Sequence, residues 1–158
     1  MLDVGSRAPE IDVLDNRGRR FRLSEDHGRL CTVVYFFPKA FTPGCTRETK
    51  VFADNYGELF LAGAALVGVS TDDAKTQCEF ADSLHTPFPL LVDHDGAVTR
   101  AYDVRWPLVN IAQRVTYVID ASRRIAGAFH HELQIGKHRD DVLRAVDALY
   151  QAKRGPTE

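Results

Sequence analysis

The segment Leu30-Cys31-Thr32-Val33-Val34-Tyr35-Phe36-Phe37 is almost continuously apolar, β-branched or aromatic. A strand with one wet face would alternate; a run like this one fits a strand covered on both faces, at the centre of an α/β sheet. The run ends at Pro38, and the turn-forming stretch Lys39-Ala40-Phe41-Thr42-Pro43-Gly44 then delivers Cys45 to a helix start. Pro43 and Gly44 let the backbone turn sharply and approach closely. Val51, Phe52, Tyr56, Leu59 and Phe60 recur at helical spacing, which predicts one long helix after Cys45, with Gly63 placed to stop it.

The remaining pattern extends the same architecture. Residues 11–14 and 20–23 alternate apolar and polar around the turn Asp15-Asn16-Arg17-Gly18, predicting an opening β-hairpin. Residues 64–69 read as a second buried strand, and Thr71-Asp72-Asp73 supplies a cap and acids for a helix ending near His85. A short strand over 88–92 leads through Asp93-His94-Asp95-Gly96 into a brief helix ending at Tyr102. Residues 115–119 and 124–129 form a hairpin across Asp120-Ala121-Ser122-Arg123, and a last helix over about 138–150 buries Val142, Leu143, Val146 and Leu149. This order predicts a mixed central β-sheet with helices on both faces and an N-terminal hairpin extension. Residues 1–152 read as a single domain, followed by a polar tail over 153–158.

Composition narrows the function classes. The 158 residues are 44% hydrophobic and 27% charged, as expected of one globular domain with a proper core. A formal net charge of −2 gives no electrostatic reason to bind nucleic acid or an anionic membrane surface. The start, Met1-Leu2-Asp3-Val4-Gly5-Ser6, lacks a basic-then-apolar leader, and no apolar run is long enough to span a membrane, so the expectation is a cytoplasmic protein. Cys31, Cys45 and Cys78 are odd in number and far apart, which fits neither a disulfide framework nor a zinc site.

A thiol becomes a good nucleophile when it ionises, and the first turn of a helix favours the thiolate through its unpaired N–H groups and dipole. Thr42 adds a hydroxyl within one turn of the sulfur. The array Pro38-x-x-x-Thr42-x-x-Cys45 followed by Glu48 resembles the active-site signature of the peroxiredoxins, and within them the bacterioferritin comigratory protein (PrxQ-like) group. The resemblance runs through Gly5-x-x-Ala8-Pro9, Gly68-Val69-Ser70-Thr71-Asp72 and Phe88-Pro89-Leu90-Leu91-x-Asp93, and so covers nearly the whole chain.

The resemblance implies a thioredoxin-like fold and a thiol-dependent peroxidase acting on hydrogen peroxide and small alkyl hydroperoxides. It implies Cys45 as the attacking cysteine, oxidised to a sulfenic acid, with Thr42 donating to the peroxide and Pro38 shielding the thiolate from bulk water. The family's activating arginine matches Arg114 in Gln113-Arg114-Val115-Thr116, where a guanidinium would favour the thiolate, with Glu48 orienting it and Gly44 allowing close approach. It implies no metal or organic cofactor, a thioredoxin-like or other dithiol reductant as partner, and a monomer or weak homodimer.

A sulfenic acid must be reduced by a second cysteine or by an external thiol. Some members of the group carry a resolving cysteine five residues after the first; that position here is Lys50. Others carry it in the helix after the next strand, which points to Cys78, 33 residues after Cys45 and about one turn earlier than the family pattern. At ~100° per residue Cys78 falls at the rim of a buried stripe of Ala74, Gln77, Phe80, Ala81 and Leu84. An inert half-buried thiol is the alternative reading of Cys78, and one-cysteine chemistry or a non-enzymatic redox sensor is the alternative for the protein. Cys31 is assigned to packing, and His130, His131 and His138 to the surface rather than to a metal. A Cys-x-x-Cys oxidoreductase is disfavoured because its second cysteine would fall on Glu48. Trp106-Pro107-Leu108-Val109-Asn110-Ile111 reads as either a pocket wall or a subunit contact.

Overall fold

The computed structural model describes residues 1–25, 29–130 and 135–154, with the side chains of 135–138 and 153–154 left aside. Strands β1 (Asp12–Leu14) and β2 (Arg20–Arg22) pair antiparallel as the opening hairpin. Its turn is built on Asp15, whose Oδ1 accepts the amides of Arg17 and Arg19, and it docks on the sheet edge through a bond from Leu90 N to Asn16 Oδ1.

The main sheet has five strands in the order β5-β4-β3-β6-β7, with β3 (Cys31–Phe36) at its centre. All six residues of β3 are buried, as the unbroken apolar run requires. Strands β3, β4 (Ala64–Ser70) and β5 (Leu90–Val92) run parallel, whereas β6 (Val115–Asp120) runs antiparallel to β3, with β7 (Ile125–His130) antiparallel to β6. Alternate residues of β3 feed two cores, because successive side chains of a strand point to opposite faces. Val33 and Tyr35 join Phe52, Leu59, Phe80, Val142 and Val146 beneath the helices on one side. Val34 and Phe36 join Ala8, Ile11, Leu23, Val98 and Tyr102 on the other.

The helices differ from expectation mainly at their boundaries. Helix α1 (Pro43–Asp54) starts two residues before Cys45, with Pro43 in the first turn, where a missing N–H costs nothing. The single long helix predicted to Gly63 is instead two, because the chain leaves α-geometry at Asn55, whose side-chain amide donates to Val51 O at 2.7 Å, before α2 (Tyr56–Leu61) begins. Gly63 then stops the chain at φ +91°, a conformation that favours glycine. Helix α3 (Ala74–Leu84) is capped by Asp73, which accepts from Thr76 N at 2.8 Å, and ends on a left-handed His85. Helix α4 (Ala97–Ala101) is brief, and α5 (Ile135–Arg154) is longer at both ends than the apolar spacing marks out. Among the described residues no helix is long and apolar enough to cross a membrane. His130 is exposed at the end of β7, His131 lies outside the described residues, and of His138 only the backbone is described. Among the described residues no group of three His, Cys, Asp or Glu side chains is arranged to hold a metal ion.

Candidate active site

Sheet register assembles the site. Phe36, the last residue of β3, pairs with Val69 on one side and Val115 on the other. Because β4 is parallel to β3 and β6 is antiparallel, the chain leaving β3, the chain leaving β4 and the chain entering β6 meet at one edge. Those segments carry residues 37–45, residues 70–72 and Arg114. Arg114 and Cys45, 69 residues apart, are thereby brought within hydrogen-bond reach.

Cys45 is the third residue of α1 and fully buried. Thr46 N is the first amide of the helix to bond back, to Thr42 O at 2.9 Å, so the amides of Gly44 and Cys45 stand at the N-terminal end with no place in the helical ladder. That end of the dipole favours an anion. Arg114 supplies the cation: Nη2 donates toward Cys45 Sγ at 3.5 Å, and Nη1 donates to Glu48 Oε1 at 2.8 Å. Burial alone would lower the Arg114 pKa, but Glu48 and the Cys45 sulfur together hold it above its ordinary value. The guanidinium stays charged, a planar fork that reaches Glu48 with one arm and Cys45 with the other.

The floor of the site is apolar and ordered. Tyr35 shares a 3.0 Å hydrogen bond with Thr49, the residue after Glu48. Burial first, and then the nearby Glu48 and Cys45, push the Tyr35 phenol well above its ordinary pKa, so it remains neutral. Gly44 lies against the guanidinium, and a β-carbon there would meet Arg114 Nη2 at 2.9 Å.

The rim carries the other predicted residues. Pro38 is half-buried at the end of β3, and Thr42 is half-buried just before α1. The Thr42 hydroxyl donates to Lys39 O at 2.7 Å; a carbonyl cannot donate, so the proton belongs to the threonine. Between them Phe41 takes a left-handed φ of +67° and rests its ring on Phe80 of α3 at 5.2 Å.

The contact made by one supporting residue escaped the sequence reading. Asp72, read there as an acid before a helix and as the last residue of the Gly68–Asp72 stretch, accepts the Ala40 amide at 2.8 Å and so holds the Cys45 loop to the end of β4. The long-range partner was not legible locally, since an acid after a strand is common helix-start chemistry.

Cys78 is half-buried, at the rim of α3 as the helical spacing implies. Its sulfur lies 3.8 Å from Asp82 Oδ2, and partial burial followed by that carboxylate raises the thiol above its ordinary pKa. Phe80 faces Phe37 and Phe41, and Cys78 is two residues earlier, about 200° around the helix. The rim it occupies is the one toward the hairpin turn, where Asn16 and Arg17 line a cleft with Ala81, Asp82 and His85. Cys31 is buried in the core. The loop that holds Trp106 to Ile111 is closed by pairing of Arg105 with Ala112, and it exposes Trp106, Val109 and, at 97%, Leu108.

Comparison with known proteins identifies the family. The AhpC/TSA family model matches residues 4–128. The chain is 36% identical to the chloroplastic peroxiredoxin Q of Oryza sativa subsp. japonica over 149 residues, 94% of this chain and 68% of that protein. Among solved structures, peroxidoxin BcpB from Mycobacterium tuberculosis superposes with a TM-score of 0.88 at 31% identity, covering 94% of this chain and 98% of the other. The bacterioferritin comigratory protein of Xanthomonas campestris, solved in connection with its alkyl peroxide reduction activity, gives a TM-score of 0.81 at 29% identity, covering 89% and 92%. With a family model spanning most of the chain and a relative well above 30% identity along nearly all of it, the chain belongs to the AhpC/TSA family of peroxiredoxins, the thiol-dependent peroxidases.

Proposed function

We propose that Cys45 is the residue that attacks the peroxide. The observation that carries this reading is the buried Arg114 fork, with one arm on Glu48 and the other on the Cys45 sulfur. The thiolate attacks the terminal oxygen of a hydroperoxide, the O–O bond breaks, and the departing oxygen leaves as water or an alcohol once protonated. Sulfur is oxidised to a sulfenic acid. Negative charge spreads along the S–O–O line in the transition state, and Arg114 together with the first-turn amides of α1 meets it with donors already in position. The Thr42 proton is committed to Lys39 O, so in this geometry Oγ1 offers a lone pair to the hydroperoxide O–H. Donation to the peroxide requires that hydroxyl to turn. Pro38, half-buried just after the end of β3, limits the entry of water to the site.

Cys78 then attacks the Cys45 sulfenic sulfur, forming the S–S bond and releasing water, and a thioredoxin-like dithiol returns both cysteines to thiols. The position of Cys78 on the far rim of α3 means that its first turns must unwind for the two Cα atoms to come within about 7 Å. The same position favours a second reading, in which an external thiol resolves Cys45 directly. The substrates are hydrogen peroxide and small alkyl hydroperoxides. Residues 1–152 act as one domain, as a monomer or weak homodimer, and a reducing cytoplasmic setting suits the three free thiols.

Steady-state peroxide consumption with a thioredoxin-type donor tests the assignment: Cys45→Ser abolishes it, and retained turnover would overturn it. Peptide mapping after one equivalent of peroxide separates the two resolving routes. An intramolecular Cys45–Cys78 bond supports the first, and Cys45 trapped only as sulfenic or sulfinic acid supports the second.

A further inference from the structure

The geometry points to Asp72 as a positioning residue that latches the Cys45 pocket shut. This inference rests on the reading of Cys45 as the attacking thiol. Asp72 Oδ2 accepts two bonds at once, from Ala40 N at 2.8 Å and from the buried Ser70 hydroxyl at 2.7 Å. Ser70 also lies 3.2 Å from Gln77 Oε1, and Gln77 donates to Leu91 O at 2.7 Å, so the carboxylate is anchored through a chain of buried polar groups to α3 and β5. On its other side the latch holds the loop at the residue before the left-handed Phe41, whose backbone orients the Thr42 hydroxyl and the entry to α1. Thr71 adds a second tie, its hydroxyl donating to Asn110 O at 2.6 Å.

Among the described residues, the chain leaving β3 is tied to the end of β4 first by Phe37 N, which donates to Val69 O at 3.0 Å, and next by the Ala40 bond. A bond to a charged acceptor is about twice as strong as a neutral one, so the loop is held firmly where the pocket closes. Asp72 therefore has two opposite effects on Cys45. It preorganises the pocket for peroxide, and it keeps bulky reagents away from a sulfur that is fully buried.

The test compares Asp72→Ala, Asp72→Asn and, as a control with a hydrogen bond lost on the opposite face of the sheet, Tyr102→Phe, which removes the 2.6 Å bond to Pro9 O. Two rates are measured on reduced protein: oxidation of Cys45 by hydrogen peroxide and its labelling by a bulky maleimide, with Cys45 followed by peptide mapping. Asp72→Ala is expected to slow the first about tenfold and to speed the second about tenfold. Asp72→Asn keeps an oxygen that accepts from Ala40 and stays within about threefold of the parent in both. Tyr102→Phe leaves both rates unchanged. The inference is overturned by a parent-like peroxide rate in Asp72→Ala, by labelling that does not accelerate, by an asparagine variant as impaired as the alanine one, or by the same two changes in Tyr102→Phe. Failure of the underlying reading is distinct, since it shows as peroxide turnover that survives Cys45→Ser.

Discussion

Gly44 and Arg114 pack so closely that a β-carbon on the glycine would lie 2.9 Å from Nη2, the nitrogen directed at the Cys45 sulfur. The contact joins the first turn of α1 to the residue before β6, and it leaves the guanidinium no freedom toward the helix.

Gly44→Ala is therefore expected to separate stability from activity. Gly44 is not left-handed, and the preference of about 1 kcal/mol for alanine over glycine in a helix offsets part of the about 1–3 kcal/mol that crowding a buried group costs, so thermal unfolding should show a midpoint close to the parent's or modestly lowered. The added methyl pushes Nη2 off the sulfur, and kcat/KM for hydrogen peroxide should fall about tenfold or more. A variant that is fully active would show that the fork is not held where the transition state needs it.

Arg114→Ala removes the cation and with it the 2.8 Å ion pair to Glu48, which is only 1% exposed. Breaking a buried pair from one side costs about 3–5 kcal/mol, so urea unfolding should show a large loss alongside a peroxide rate reduced by about 100-fold. Arg114→Lys keeps the charge but cannot serve Glu48 and Cys45 together, and should recover stability better than activity. Equal recovery of both would argue against a role for the planar fork.

The pH dependence of the resolving step should reveal Cys78. Its pKa is raised by partial burial and by Asp82, so the thiolate fraction is small near neutrality and grows as pH rises. Disulfide formation, followed after a single peroxide pulse, should accelerate with pH, and Asp82→Asn should shift that profile to lower pH by removing the nearby negative charge. A profile that Asp82→Asn leaves in place would favour an external resolving thiol.

Phe80 carries packing as well as position, since its ring meets both Phe37 and the exposed Phe41. Phe80→Ala should destabilise the fold by about 3–5 kcal/mol in denaturant titration, as expected for an emptied aromatic core position. Because Phe41 loses its seat, maleimide labelling of Cys45 should also speed up.

Much of this fold is written in local pattern. The buried run before Pro38 specifies a central strand, and the hairpin turns at Asp15 and Asp120 are read from residues that bond their own following amides. Where sequence reading slips, the cause is local too: apolar spacing continues smoothly through Asn55, while the backbone breaks there around a side-chain bond to Val51 O. The candidate site divides in the same way. Cys45, Thr42 and Pro38 sit in one short stretch whose turn chemistry is visible without a structure. The latch at Asp72 is not, because an acid beside a helix start has an ordinary local explanation.

The sequence by itself determined the candidate thiol and its helix start, because turn residues and helical spacing are short-range properties of the chain. It also supplied Arg114, but only as a matching position. Tertiary structure decided what Arg114 touches: the antiparallel register that pairs Phe36 with Val115 brings the guanidinium to the end of β3, and a shift by one residue would turn it to the other face. The same long-range packing set Cys78 on the rim of α3 turned toward Arg17 instead of Phe41, since a helix fixes only the angle between Cys78 and Phe80, and the neighbours that the whole fold supplies fix which rim faces the Cys45 loop.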